Sequence, residues 1–123
     1  MGKRFLIDSN IVSKYLSGNL NNDSNQLIDN LTIEISVITK IELLTWNGYS
    51  SNLLKVLHSF LEESVIYNLD DAIIEKCIDL RKKYKLKLPD DIIAATAITK
   101  NLSIISNDKD FENIKNLKVI KLT

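Results

Sequence analysis

The sequence predicts a three-layer α/β/α fold with a small, mainly parallel central sheet. Short β-rich runs alternate with helical stretches. The helices separate consecutive strands, so each connection is a crossover that leaves neighbouring strands parallel. The 123 residues, 45% apolar and 26% charged, have the size and composition of one globular domain spanning 1–123.

A first strand is expected at residues 4–7, halted by Asp8. Asp8, Ser9 and Asn10 each carry a side chain able to accept an orphan helix N–H, so a short helix follows over 11–17. After a loop at 18–22, residues 23–30 form a second helix. The run 32–37 alternates Ile33, Ile35 and Val37 with Thr32, Glu34 and Ser36, which is strand period. Residues 38–46 are helical, and Trp46 is expected in the core. Asn47 and Gly48 mark a turn, and 51–62 form a helix with Leu53, Leu54, Leu57 and Leu61 on one stripe. A strand at 65–69 leads to a helix capped by Asp70 or Asp71 and apolar through Ile73, Ile74, Cys77 and Ile78. Pro89 stands where a helix starts, and 90–100 continue it. Within it, the longest apolar run of the chain, 92–98, reads as a buried helix face. A strand at 103–106, a loop at 107–113 with one helical turn, and a strand at 118–122 complete the order.

Composition excludes several function classes. Sixteen basic and sixteen acidic residues give zero formal charge, which excludes a histone-like polycation but not a local basic patch. Arg4 and Arg81 are the two arginines, so phosphate contacts would fall mostly to lysine, a point charge without a bidentate fork. The single Cys77 excludes an intramolecular disulfide and a Cys-based zinc site, and fits a reducing, cytoplasmic home. With His58 the one histidine, a His cluster is excluded. No apolar run approaches membrane-spanning length, and the opening stretch, broken by Asp8, is too short for a signal peptide.

The acids are distributed suggestively. In open α/β sheets, sites form at the carboxyl ends of strands. Asp8 ends the first strand, Asp108 follows the strand at 103–106 with Asp110 behind it, and Asp90 and Asp91 open a helix. Each has a plain structural reading: Asp8 as an N-cap, Asp90 and Asp91 as complements to a helix N-terminus, Asp108 as a turn residue. Glu42 has no such reading. It lies mid-helix on the stripe of Ile38 and Trp46, where a carboxylate pays desolvation unless neutralised. Gathered at one site, these carboxylates would repel one another, and a divalent cation would relieve them. Oxygen-only ligands suit Mg²⁺ or Mn²⁺, ions that clamp a phosphodiester oxygen and acidify an attacking water. Such chemistry hydrolyses a nucleic-acid backbone without a His, Cys or Ser nucleophile.

Four segments, covering essentially the whole chain, resemble the PIN-domain ribonucleases, in particular the VapC-type toxins of bacterial and archaeal toxin–antitoxin pairs. Residues 5–10 (FLIDSN) look like that family's opening strand with its first acid, followed by Ser and Asn. Residues 39–44 (TKIELL) are similar to the helix with the second acid. Residues 88–97 (LPDDIIAATA) are the closest match, with Asp90 in the third position. Residues 104–111 (IISNDKDF) resemble the closing segment, with Asp108 as fourth acid. The resemblance implies a metal-dependent endoribonuclease with Mg²⁺ or Mn²⁺ held by Asp8, Glu42, Asp90 and Asp108. It also implies Ser9, Asn10 and Ser106 as groups that orient carboxylates or water. It further implies water attacking in line to leave 5′-phosphate and 3′-hydroxyl ends, an RNA substrate, a small antitoxin and a homodimer. This chain departs from the family pattern in three places. Asp91 adds an acid where a small residue is commoner, Asp110 competes with Asp108, and Asn107 occupies a place that is frequently basic.

Setting aside the four proposed ligands leaves twelve acids against sixteen bases, compatible with RNA. Lys82, Lys83, Lys85 and Lys87 precede the Asp90 helix, where they read either as phosphate contacts or as the cations that complement a helix C-terminus. Two other classes stand beside the nuclease. One is a catalytically silent, protein-binding α/β module. The other is a receiver-like phosphoacceptor domain, which would need an early pair of adjacent acids and a lysine on a late strand.

Overall fold

In the computed structural model, which describes residues 4–123, five strands form one sheet. The chain runs β1 (Phe5–Ile7), α1 (Ser9–Leu16), α2 (Asn22–Asp29), β2 (Glu34–Ser36), α3 (Val37–Thr45), α4 (Ser51–Glu63), β3 (Val65–Tyr67), α5 (Asp71–Lys83), α6 (Leu88–Thr99), β4 (Ser103–Ile105), a 3₁₀ turn (Lys109–Phe111) and β5 (Val119–Ile120). The strand order is β3-β2-β1-β4-β5, and every neighbouring pair is parallel. The expected α/β architecture is the one observed, with a sheet that is wholly parallel. None of the described helices is long and apolar enough to cross a membrane.

Strand period divides the core between the two faces of the sheet. Leu6 and Ile104 face α5 and α6, where they pack with Ile73, Leu80, Ile93 and Phe111. Phe5, Ile7, Ile35 and Ile105 face the other way, toward Ile11, Val12, Leu43 and Leu57 of α1, α3 and α4. Adjacent residues thus serve opposite layers, as a strand buried on both faces requires.

Helix starts follow capping chemistry. Asp8, Asn21, Ser36, Ser50 and Asp70 each accept a backbone N–H at the head of the helix that follows. Asp70, not Asp71, is therefore the cap of α5. The strands are shorter than their patterns. The alternating run at 32–37 keeps three strand residues, because the Ser36 side chain accepts the Ile38 N–H at 3.1 Å and begins α3 at Val37. β3 stops at Tyr67 and β5 spans Val119–Ile120.

Several side chains lie where the sequence pattern does not place them: Leu54 on the α4 stripe and Ile74 and Ile78 on that of α5 are exposed, and Trp46 and Glu34 depart further. Trp46 is 58% exposed rather than in the core. It terminates α3 with extended backbone and packs edge-on against Tyr49, 4.6 Å between ring centres. Gly48 lies under that ring, and a Cβ there would come within 2.4 Å of it. Glu34, on the polar phase of its strand, is 4% exposed. Arg4 of the β1 side and Tyr67 of β3 both donate to its Oε1, at 2.6 and 2.5 Å. The pairing satisfies a carboxylate that would otherwise be stranded in the sheet.

Candidate active site at the carboxyl edge of the sheet

The strand order reverses at β1. The chain leaves it for β2 and β3 on one side and returns to β4 and β5 on the other, so the crevice between the carboxyl ends of β1 and β4 is the topological switch point. Asp8 stands there. Its N–H donates to the Ile105 carbonyl at 3.0 Å, tying the end of β1 to that of β4. Its Oδ1 accepts the Ser9 N–H at 2.8 Å, and its Oδ2 accepts the Ser106 hydroxyl at 2.8 Å. Asp8 thus caps α1 through one oxygen and meets Ser106 through the other, so capping does not use up the carboxylate. Ser106 is fully buried, and its Oγ also accepts the Asp108 N–H at 3.1 Å, so one hydroxyl fixes two acids.

The other acids arrive from three elements. Asp90 sits in the first turn of α6, Asp108 caps the 3₁₀ turn, and Asp110 lies within that turn. Carboxylate oxygens of these three lie within 4.8 Å of one another. Glu42 comes from α3, with the Ser9 hydroxyl 3.4 Å from its Oε1. Asn10, the residue after Ser9 in α1, is exposed.

The electrostatics record the crowding. Burial, followed by the charges of Asp108, Asp8, Asp110 and Glu42, pushes Asp90 up to about 6. Burial also raises Asp8, against the opposing hydrogen bonds from Ser106 and Ser9, and raises Glu42 with help from the Asp8 charge. Five acids from distant parts of the chain therefore sense one another. Their donor set is all oxygen, and Asp90, Asp108 and Asp110 lie close enough together to share a hard divalent cation. In chelator, Asp90 binds its proton more tightly folded than unfolded. Stability should then fall as pH rises from about 4 to about 6 and level off above, by on the order of 1 kcal/mol after solvent screening. Denaturant midpoints across that window, compared with Asp90→Asn, measure the effect. A wild-type curve parallel to that of the variant would contradict it.

Asp91 does not join the cluster. Its carboxylate is fully buried and takes the Arg81 Nη1 at 2.9 Å. Burial raises its pKa and Arg81 partly offsets the rise. The sequence showed Asp91 as an extra acid but not its partner, because the pair spans ten residues across the α5–α6 hairpin and follows no helical spacing. The Thr39 Oγ1, one turn before Glu42, is likewise buried and without a partner among the described residues. A hollow of about 660 Å³ lined by Arg4, Ser103, Asn116 and Lys118 lies at the opposite, amino end of β1 and β4, and none of the acids lines it.

The fold and its acidic crevice define a doubly wound, parallel α/β protein with carboxylates at the switch point. The PIN domain family model matches residues 5–117, and the chain belongs to that family. It is similar to a toxin–antitoxin complex from Klebsiella pneumoniae at 32% identity, TM-score 0.77, covering 94% of each chain. The fold is also that of VapBC2 from Rickettsia felis bound to a promoter DNA fragment (22% identity, TM-score 0.82, covering 97% of this chain and 98% of that one). DNA-bound VapBC from Salmonella typhimurium shares it too (21% identity, TM-score 0.79, 98% of each chain). No curated protein matches the chain.

Proposed function

We propose that this PIN-domain chain is the nuclease toxin of a toxin–antitoxin pair, a single-domain endoribonuclease that hydrolyses RNA phosphodiester bonds with Mg²⁺ or Mn²⁺ bound. The convergence of Asp90, Asp108 and Asp110 within 4.8 Å, with Asp90 raised to about 6 by burial and then by its acidic neighbours, is the observation that carries this reading. Asp8, Glu42, Asp90 and Asp108 would hold the ion, with Asp110 beside them. The ion supplies Lewis acidity toward a phosphodiester oxygen and toward water. The residues of the chain do the rest. Ser106 holds the Asp8 Oδ2, leaving that carboxylate one aim into the crevice, and Ser9 does the same for Glu42. One of these acids would accept the proton of the attacking water. Attack in line would leave a 5′-phosphate.

Partners follow from exposed apolar surface. Ile41, Leu44 and Trp46 leave an apolar face on and beside the helix that carries Glu42, and Ile74 and Ile78 leave another on α5. They support a small antitoxin and a second copy of the chain as partners. The exposed Lys82, Lys83, Lys85 and Lys87, on the approach to α6, supply cations for an RNA backbone. A cytoplasmic site of action belongs to the same proposal.

The test is total RNA incubated with purified, partner-free chain in Mn²⁺ or in chelator. Cleavage with 5′-phosphate ends should occur in Mn²⁺ and cease in chelator. Cleavage that persists in chelator removes the metal from the mechanism. A folded chain inert under both conditions is the silent binding module instead.

A further inference from the structure

Among the six described helices, α6 alone has an N-cap that supplies no side-chain hydrogen bond, yet its first turn carries Asp90. Its orphan N–H groups are left without the side-chain partner that the other described helices have. The next residue, Asp91, is a carboxylate where an apolar side chain would pack without desolvation cost. It is fully buried, bonded to Arg81 of α5 through Oδ2, and its Oδ1 has no partner among the described residues. A pair left half satisfied in this way contributes poorly to stability. It does contribute direction, since a charge-assisted bond to a guanidinium has an angle and a length that an apolar contact lacks. Consecutive helix residues project about 100° apart, so locking Asp91 toward α5 sets the rotation that turns Asp90 toward Asp108 and Asp110.

We propose that Arg81 and Asp91 are a positioning pair that holds the first turn of α6 so that Asp90 meets the acids of the crevice. The inference rests on the metal-dependent reading of that crevice. Its test uses Mn²⁺ affinity by titration calorimetry beside thermal melting, neither of which needs RNA.

Asp91→Leu removes a buried charge and lets the half-exposed Arg81 turn to water, so its melting temperature should hold or rise. Its Mn²⁺ affinity should nevertheless fall by about 10- to 100-fold, the usual cost of losing a group that orients a metal ligand. Asp91→Asn loses the same charge but keeps an oxygen for Arg81, and should bind Mn²⁺ within about threefold of wild type. Should Asp91→Leu not fold, Arg81→Met in the Asp91→Asn background removes the bond with no buried charge left over, and should show the same loss. Wild-type affinity in Asp91→Leu, or in that substitute, would make the pair structural only. An equal loss in Asp91→Asn and Asp91→Leu would show that charge and not aim matters, and overturns the proposal. A wild-type chain that binds no Mn²⁺ would fail the metal reading itself, and the positioning role with it.

Discussion

Asp8→Asn should abolish RNA cleavage while leaving the protein at least as stable as before. The loss should be on the order of 10³-fold in kcat, the roughly 4 kcal/mol scale of removing one group that stabilises transition-state charge. The stability half follows from the two oxygens of Asp8. Asn caps a helix as well as Asp, so the bond from the Ser9 N–H survives, while the amide NH₂ that replaces Oδ2 donates to the Ser106 Oγ in place of accepting from it. The substitution also removes a buried charge facing Glu42, Asp90 and Asp108, for a gain of about 1 kcal/mol. A melting curve and a single-turnover cleavage assay on one preparation suffice. Cleavage at the wild-type rate would remove Asp8 from the chemistry, and a large drop in melting temperature would show that its cap role outweighs the repulsion.

Phe111→Ala should be the most destabilising single change near the site. Phe111 closes the 3₁₀ turn that presents Asp108 and Asp110, and its ring is fully buried against the α5–α6 layer. Truncation should cost about 3–5 kcal/mol, a large part of the roughly 5–15 kcal/mol that holds a domain folded. It should also weaken Mn²⁺ binding in whatever fraction stays folded, since the turn loses its anchor. Chemical denaturation measures the first effect and calorimetry the second. A cost below about 1 kcal/mol would mean that neighbours collapse into the space.

The acids of the crevice were legible as a set because each stands at a place with local meaning: after a strand, at a helix start, or mid-helix without a cap. Glu42 drew notice through its apolar neighbours Ile38 and Trp46, although the structure leaves both Glu42 and Trp46 exposed. The stripe of Ile38 and Trp46 shields the Glu42 carboxylate only in part. What isolates Glu42 is its approach to Asp8 and Ser9. Asp110 against Asp108 was undecidable in one dimension, since both fall in one turn. In space both lie within reach of Asp90.

The sequence by itself determined the order of strands and helices, their parallel connection, the cap at Asp8, and which acids fall at element ends. These are consequences of local periodicity and capping, which act within a few residues. The tertiary structure alone decided who meets whom: Arg4 and Tyr67 at Glu34, Ser106 at Asp8, Arg81 at Asp91. Those pairs span from 10 to 98 residues of chain. Desolvation selects them. A buried carboxylate must find a donor wherever the packed sheet and helices bring one, and no spacing rule along the chain encodes that encounter.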